Sequence, residues 1–357
     1  MSTTLTVALA SLGGIVLAGV VAHGAWQARR AGPKRAAPLV REEPSASAPS
    51  DHEAAALADD GSDAGQTDDD TGVATPARRL AKRLPVQLDA LIDAFAQISL
   101  DVPIAGDALL AHLPSKRHVG SKLVLVEGLD AETGEWEPPT AGQRYSELQA
   151  GVQLASRTGP LNEIEYSEFV QRMQAFAEGV GGSLDAPDML DVMARARELD
   201  NFASAHDAQL AVHLHARGAA WSVGYIQQHA RRHGFVPGVV PGRLVYAAAE
   251  EGAPPVLTLT FDAQAALADE PDRAAVRDVT LAFDVPQTAP AAEPFQAWQA
   301  AAQALAVGMD ADVVDDNGRP LSSAGFEAIG AELGQLYAAL EGRDLAAGST
   351  AARRLFS

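Results

Sequence analysis

The sequence predicts an α+β protein with an N-terminal transmembrane helix, a disordered linker and two related folded units. Three observations carry this prediction. An uncharged apolar run stands near the N-terminus, a segment rich in proline, alanine and acidic residues follows it, and strand-like and helix-like apolar patterns alternate from about residue 85 onward.

Composition limits the classes of function. The chain has 357 residues and a formal net charge of -20 at pH 7, which leaves room for one or two domains after the anchor and linker. Nucleic-acid binding needs clustered lysine and arginine, so the acidic balance argues against it. The chain has no cysteine, which excludes disulfides and thiolate metal sites.

Residues 1–35 are predicted to be a membrane anchor with a basic flank. The run from Leu5 to Val21 carries no charge, and its apolar character extends to Trp26, close to the roughly 20 residues that a spanning helix needs. Arg29 and Arg30 follow the run, which marks the cytoplasmic side and places the N-terminus outside. A cleaved signal peptide is the alternative, but it needs its positive charges before the apolar core.

Residues 36–84 are predicted to be a disordered linker. Between residues 42 and 71 acidic residues are frequent, and no lysine or arginine occurs. Such a segment cannot bury enough apolar surface to offset the entropy of ordering it. The aspartate run at 68–70 lacks the alternating acids and terminal glutamate of an EF-hand, so we predict no calcium site there.

Residues 85–203 are predicted to form the first α+β unit. Helices are expected to end where proline or glycine prevents their continuation, at Pro114 and at Gly179. Strands are predicted over residues 90–100 and 122–127 with a hairpin partner between 135 and 157, and helices over 106–113, 162–178 and 189–202.

Residues 204–341 are predicted to form the second unit, and residues 342–357 a flexible tail. Strict alternation marks its first strand, and Ser322 or Ser323 is the expected N-cap of its last helix. Strands are predicted over 209–215, 243–248, 256–261, 279–285 and 310–314, and helices over 222–233, 295–307 and 322–340.

The two units agree in the order of their elements and in parts of their sequence. Residues 109–128 align with 226–249, and residues 168–188 align with 294–316. A diverged tandem duplication is therefore predicted.

Four stretches resemble one known family. VVAHGAWQARR at 20–30 resembles the end of a membrane anchor in that family, while GF at 234–235, VTLAFDVP at 279–286 and VVDDNGRPLS at 313–322 resemble its C-terminal domain. The family is that of the bacterial cell-division protein ZipA. The resemblance covers the anchor, the linker and roughly residues 204–340, and it implies split β-α-β units with antiparallel sheets covered by helices on one face.

The resemblance also implies a function and a site. It implies a single-pass protein of the bacterial inner membrane at the division site, which binds the C-terminal tail peptide of the tubulin-like protein FtsZ on the uncovered sheet face. Alternation assigns Leu210, Val212 and Leu214 to the core. The register of residues 256–263 stays open by one residue. The peptide-binding residues that the resemblance suggests are His213, Phe235, Val236, Phe261, Ala263, Thr280 and Ala282.

The histidines offer the main alternative to a binding function. His229 and His233 are spaced to place two imidazoles on one side of a helix, but no acid lies between them and no third ligand is indicated. A solvated basic helix end is the preferred interpretation. With no catalytic motif in the sequence, we predict no enzyme, no catalytic residue, no metal and no cofactor. The predicted partners are the FtsZ tail and membrane lipid; the alternatives are a self-associating scaffold or a histidine-dependent metal-binding envelope enzyme.

Overall fold

The computed structural model describes residues 87–270 and 273–357. In this range the protein is a mixed α+β structure with two six-stranded antiparallel sheets, which confirms the predicted class. The predicted anchor, with Leu5, Val21, Trp26, Arg29 and Arg30, and the linker at 36–84 lie outside the described residues. Among the described helices, none combines the length and apolar character needed to cross a membrane.

The first sheet has the strand order β2-β3-β5-β1-β8, with β4 also paired to β3. The long second helix begins with a capping box, in which Asn162 accepts from the backbone of Glu165 and the Glu165 side chain accepts from the backbone of Asn162. The elements are β1 (Asp93–Ala105), α1 (Gly106–His112), β2 (His118–Val119), β3 (Lys122–Asp130), β4 (Trp136–Glu137), β5 (Arg144–Gln153), β6 (Ala155–Ser156), β7 (Gly159–Pro160), α2 (Glu163–Gly179), β8 (Gly182–Asp185) and α3 (Met189–His206).

The second sheet has the strand order β10-β11-β12-β13-β9-β14. Ser322 accepts from the backbone of Gly325, which confirms it as the N-cap of the long helix α7. The elements are β9 (Gln209–Ala216), α4 (Val223–Arg232), β10 (Val236–Pro237), β11 (Arg243–Tyr246), β12 (Leu257–Thr260), α5 (Ala263–Ala266), β13 (Asp278–Asp284), a short 3-10 helix (Pro290–Ala292), α6 (Pro294–Met309), β14 (Ala311–Val314), α7 (Ser323–Glu341) and α8 (Thr350–Leu355).

The two sheets share the arrangement of their central strands. In the first, β1 lies between the long strand β5 and the short strand β8; in the second, β9 lies between β13 and β14. Gln97 faces Gln149 across the first pair, and His213 faces Thr280 across the second. The pairs with the short strands follow the same register. A position on one sheet therefore has a geometric equivalent on the other.

Helices supply the core on one side of each sheet. In the second unit α4, α6 and α7 contribute buried side chains to the same cluster as the inward side chains of the strands. Trp298 of α6 is fully buried, and its indole N–H donates to the carbonyl of Leu281 on β13 over 2.9 Å. Val212 and Leu214 are both 0% exposed, which confirms the predicted inward face of β9. The opposite face of the sheet is left for other contacts.

The C-terminus is folded, so the flexible tail predicted for residues 342–357 is wrong. Helix α8 ends beside Phe356, whose side chain is fully buried in the first core. Arg354 donates to both carboxylate oxygens of Asp93 on β1, over 2.6 and 2.8 Å. Apolar side chains from Leu345 onward also join that core, which is why this segment is ordered.

The boundary between the units is a continuous structure. Helix α3 runs through the predicted break at 203/204 to His206. Arg157, from the first unit, lies 2.5 Å from Asp207 and 2.7 Å from Asp284 of β13. Leu340 of α7 is buried in the first core, while Phe326 of the same helix is buried in the second. The units are therefore packed together rather than connected by a free linker.

Candidate functional site

The side of the second sheet that faces away from its helices carries a row of small and apolar side chains. Pairing of successive strands aligns these positions across five of the six strands. The members are partly exposed, and none belongs to the buried core that the described residues form. We call this row the outer row; it consists of Val236, Val245, Thr258, Ala282 and Ala211.

A polar row runs beside the outer row. Thr260, Thr280 and His213 are paired neighbours across β12, β13 and β9. Nδ1 of His213 lies 3.0 Å from the hydroxyl of Thr280, and its Nε2 lies 2.8 Å from Oδ1 of Asp316. Both ring nitrogens thus have partners, which fixes the imidazole at the edge of the outer row. Next to it, His215 contacts Asp278.

At the sheet edge the outer row continues into an exposed apolar turn. Val236 is 49% exposed, and the turn between β10 and β11 presents Val239 and Val240, which are 102% and 54% exposed. Large apolar side chains exposed in succession are typical of an interaction site. Sequence reasoning missed Val239, Val240 and Val245, although valines enclosed by the Pro-Gly pairs of VPGVVPG could have indicated an exposed apolar turn.

Positive charge lies at the same edge. The last turn of α4 carries Arg231 and Arg232, both exposed, directly before β10. Arg243 is exposed at the start of β11 and faces Thr260, so it extends the polar row. Of these residues, Arg243 adds a positive charge to the outer face itself, which suits a ligand that carries acidic groups.

Four of the seven predicted peptide-binding residues lie together on the outer face. Val236 and Ala282 belong to the outer row, and His213 and Thr280 form its polar neighbour. Ala263 is exposed but begins helix α5, beside Gly242 and outside the paired strand positions of the outer row.

The two predicted phenylalanines face the other way. Phe235 is 1% exposed and packs against the ring of Tyr246 at a centroid distance of 5.9 Å. Phe261 is partly buried against the second core. Because adjacent residues of an extended chain point to opposite sides, outward Val236 and Thr260 require inward phenylalanines beside them. This corrects their assignment to the binding face.

His229 is not the solvated residue expected from the sequence. It is 9% exposed, and its ring lies 4.4 Å from that of Tyr225. Burial lowers the pKa of His229, with smaller contributions from the neighbouring charges of Arg232 and His233. Within residues 87–270 and 273–357, no three histidine, aspartate or glutamate side chains are grouped to hold a metal ion. The geometry of His229 is that of a packed helix residue.

Comparison with known families adds to the geometry. Residues 248–332 match the family described as ZipA, C-terminal FtsZ-binding domain. This range contains β12, β13, α6 and β14, and therefore three members of the outer face, Thr258, Thr280 and Ala282. A search of curated proteins gives no match to the chain. Residues 248–332 of the second unit are therefore similar to the ZipA C-terminal domain.

Proposed function

We propose that this protein is a membrane-anchored cell-division protein whose second unit binds the C-terminal tail peptide of FtsZ. The observation that carries the proposal is the family match over residues 248–332, since the family is described as FtsZ-binding. The partly exposed outer row supports the position of the peptide, because it offers an apolar strip on the helix-free side of the sheet. We place the peptide along this row.

The side chains of the outer row define how such a peptide would bind. Ala211 and Ala282 are small, so the centre of the face is a shallow floor, while Val236 and Val245 supply apolar contact toward the edge. Burial of apolar area contributes about 25 cal/mol per Å². A shallow face implies weak binding at each site, and many anchors meeting many tails on one filament would strengthen attachment through avidity.

The predicted anchor and linker complete the proposal. An N-terminal helix spanning the inner membrane from outside to inside would hold the body at the membrane, and the acidic segment at 36–84 would set its reach. The folded body would then consist of units 85–203 and 204–341. Attached to FtsZ, the protein would tether filaments to the inner membrane at the division site.

The matching sheets support a common origin for the two units. Both have the same order of central strands, and Gln97–Gln149 occupies the register of His213–Thr280. We infer from this a diverged duplication of one split β-α-β unit. The sheets differ at one edge: in the first, β2 and β4 both pair with β3, whereas in the second β12, β11 and β10 follow one another outward, and the outer row ends there in exposed valines.

Calorimetric titration of the FtsZ tail peptide into the full-length protein in detergent micelles tests the proposal. The wild type is expected to bind, and Ala282→Glu to bind at least about tenfold more weakly, equivalent to about 1.4 kcal/mol, because it introduces an unpaired charge beneath the peptide. Ser99→Glu, on the outer side of the first sheet, is the matched control and should bind normally. Absence of wild-type binding at high micromolar peptide, or normal binding by Ala282→Glu, would refute the proposed site.

A further inference from the structure

The first sheet also has an apolar outer face. Its side chains alternate with the inward residues of β1 and β3 and stand outside the buried core that the described residues form. They are partly exposed, and at their centre the strand β5 carries Gly151, which lies between Phe95 and Leu125. The apolar members of this face are Phe95, Leu123, Leu125 and Leu129.

The space above Gly151 is occupied by the chain's own Leu88. A Cβ atom built on Gly151 would lie 2.2 Å from Cδ2 of Leu88, so the leucine fills the position that a side chain would take. The backbone N–H of Leu88 donates to Oε1 of Glu127 over 2.8 Å, and Oε2 of Glu127 accepts from Gln149 over 2.8 Å. Leu88 of the same chain therefore already contacts this face, through its side chain at Gly151 and through its backbone at Glu127.

The position of Leu88 matches the position proposed for the peptide on the second sheet. Relative to the facing pairs Gln97–Gln149 and His213–Thr280, Gly151 and Ala282 are each two residues further along the long partner strand. Leu88 therefore lies over the geometric equivalent of Ala282. The outer face of the first sheet thus binds an apolar side chain of its own chain, at the position where the peptide is proposed to bind on the second sheet.

The residues before Leu88 suit the rest of this face. Residues 78–86 read RRLAKRLPV, with four basic residues, and Pro85 favours extended backbone around it. In an extended chain Leu84, Val86 and Leu88 point to one side. Acidic side chains lie on the outer side of the first sheet, at Glu127, which contacts Leu88, and at exposed Glu147 and Asp185. The apolar and basic side chains of residues 78–86 are therefore complementary to the apolar and acidic side chains on the outer face of the first sheet.

We infer that residues 78–86 dock in cis along the outer face of the first sheet, continuing from Leu88. The function of the first unit would then be to bind the C-terminal end of the linker to the folded body. The outer face of the second sheet stays available for a separate ligand. The inference does not depend on FtsZ binding, and its test uses no FtsZ.

The absence of native cysteine permits nitroxide labelling of the full-length protein at single introduced cysteines. The label at Lys82→Cys is expected to give a restricted electron paramagnetic resonance spectrum, and the label at Ser62→Cys, in the acidic segment, a mobile one. Gly151→Val would fill the space that the Leu88 side chain occupies, and Leu88→Ser would remove that side chain. Each substitution should make the label at residue 82 mobile. Ala282→Val, at the equivalent position of the second sheet, is the control and should change nothing.

Three results would overturn the inference. A label at residue 82 as mobile as the one at residue 62 would show that the segment does not dock. A restricted label that is unaffected by both Gly151→Val and Leu88→Ser would place the docking elsewhere. Restriction that disappears on dilution of the protein would indicate that a second copy, rather than the same chain, occupies the face.

Discussion

The packing of His229 argues against the metal site that its spacing from His233 suggests. The i, i+4 pair with His233 suggests a metal site, yet the side chain of His229 lies against α6, where a Cβ on Gly308 would be 2.9 Å from its Nδ1. His229 is buried beside the ring of Tyr225, and the charge of Arg232 acts on it. Both disfavour the protonated imidazole.

This environment makes a prediction about pH. Because the pKa of His229 is lowered in the folded state, its contribution to stability is complete above the unfolded value of about 6.5 and is lost as pH falls below that value. The free energy of unfolding should fall less between pH 7 and pH 5 in His229→Gln than in the wild type. Urea denaturation at each pH measures the difference, and parallel pH profiles would show that His229 carries no such linkage.

A buried ion pair adds to the apolar contacts of helix α8. Arg354 and Asp93 have side chains that are 9% and 1% exposed, and the pair joins the C-terminus to the beginning of β1. Arg354→Ala should destabilise the protein by about 3–5 kcal/mol, because it leaves the Asp93 carboxylate buried without its partner. Circular dichroism during urea denaturation gives the difference in unfolding free energy.

The adjacent arginine is the control for that variant. Arg353 pairs with Glu250, whose side chain is 63% exposed, so Arg353→Ala should cost only about 0–1 kcal/mol. Equal effects of the two substitutions would mean that α8 is not held by the buried pair.

Elements with their own periodicity could be predicted from the sequence, and elements that depend on distant partners could not. Helices α2 and α7 and strands β9 and β13 all lie within two residues of their predicted bounds. The short strand β8 was missed because GSLD has no apolar pattern, and its pairing with β1 is what makes it a strand. Helix α8 was missed for the same reason, since the first core that orders it is about 200 residues away in sequence.

The residues of the outer face of the second sheet were predicted only in part, because alternation was applied to some strands and not to others. Alternation identified the outward side of β9, whereas Thr280 and Ala282 were suggested by the family resemblance, and their pairing with β9 places them on that same side. The resemblance to a family suggested residue types near the site without their direction, so Phe235 and Phe261 were included although their neighbours face outward. Applying alternation through both strands would have removed them.

In the part of the chain that the structure describes, the C-terminus packs back onto the first unit, and this arrangement determines which surfaces are exposed. Helix α7 contacts both cores through Leu336 and Tyr337, and the C-terminus closes on the first unit. Burial between the units raises the pKa of Tyr337 to about 12. The outer row and the polar row of the second sheet remain accessible, as does the exposed turn at Val239 and Val240.

The predicted membrane anchor at residues 1–35 leads to a test in cells. Deletion of residues 1–35 should move the protein from the membrane fraction to the soluble fraction of cells, because the apolar run and its basic flank are lost. The affinity for the FtsZ tail should not change in calorimetry. A truncated protein that still sediments with membranes would contradict the assignment of the anchor to this segment.

Methyl NMR of the full-length protein in detergent, during addition of the FtsZ tail peptide, tests the central claim most directly. The methyl signals of Ala211, Val236, Val245 and Ala282 are expected to shift together as the peptide covers the outer row. Those of Leu123 and Leu125, on the outer face of the first sheet, should stay in place. Shifts confined to the first sheet, or no shift in the outer row at saturating peptide, would contradict the account.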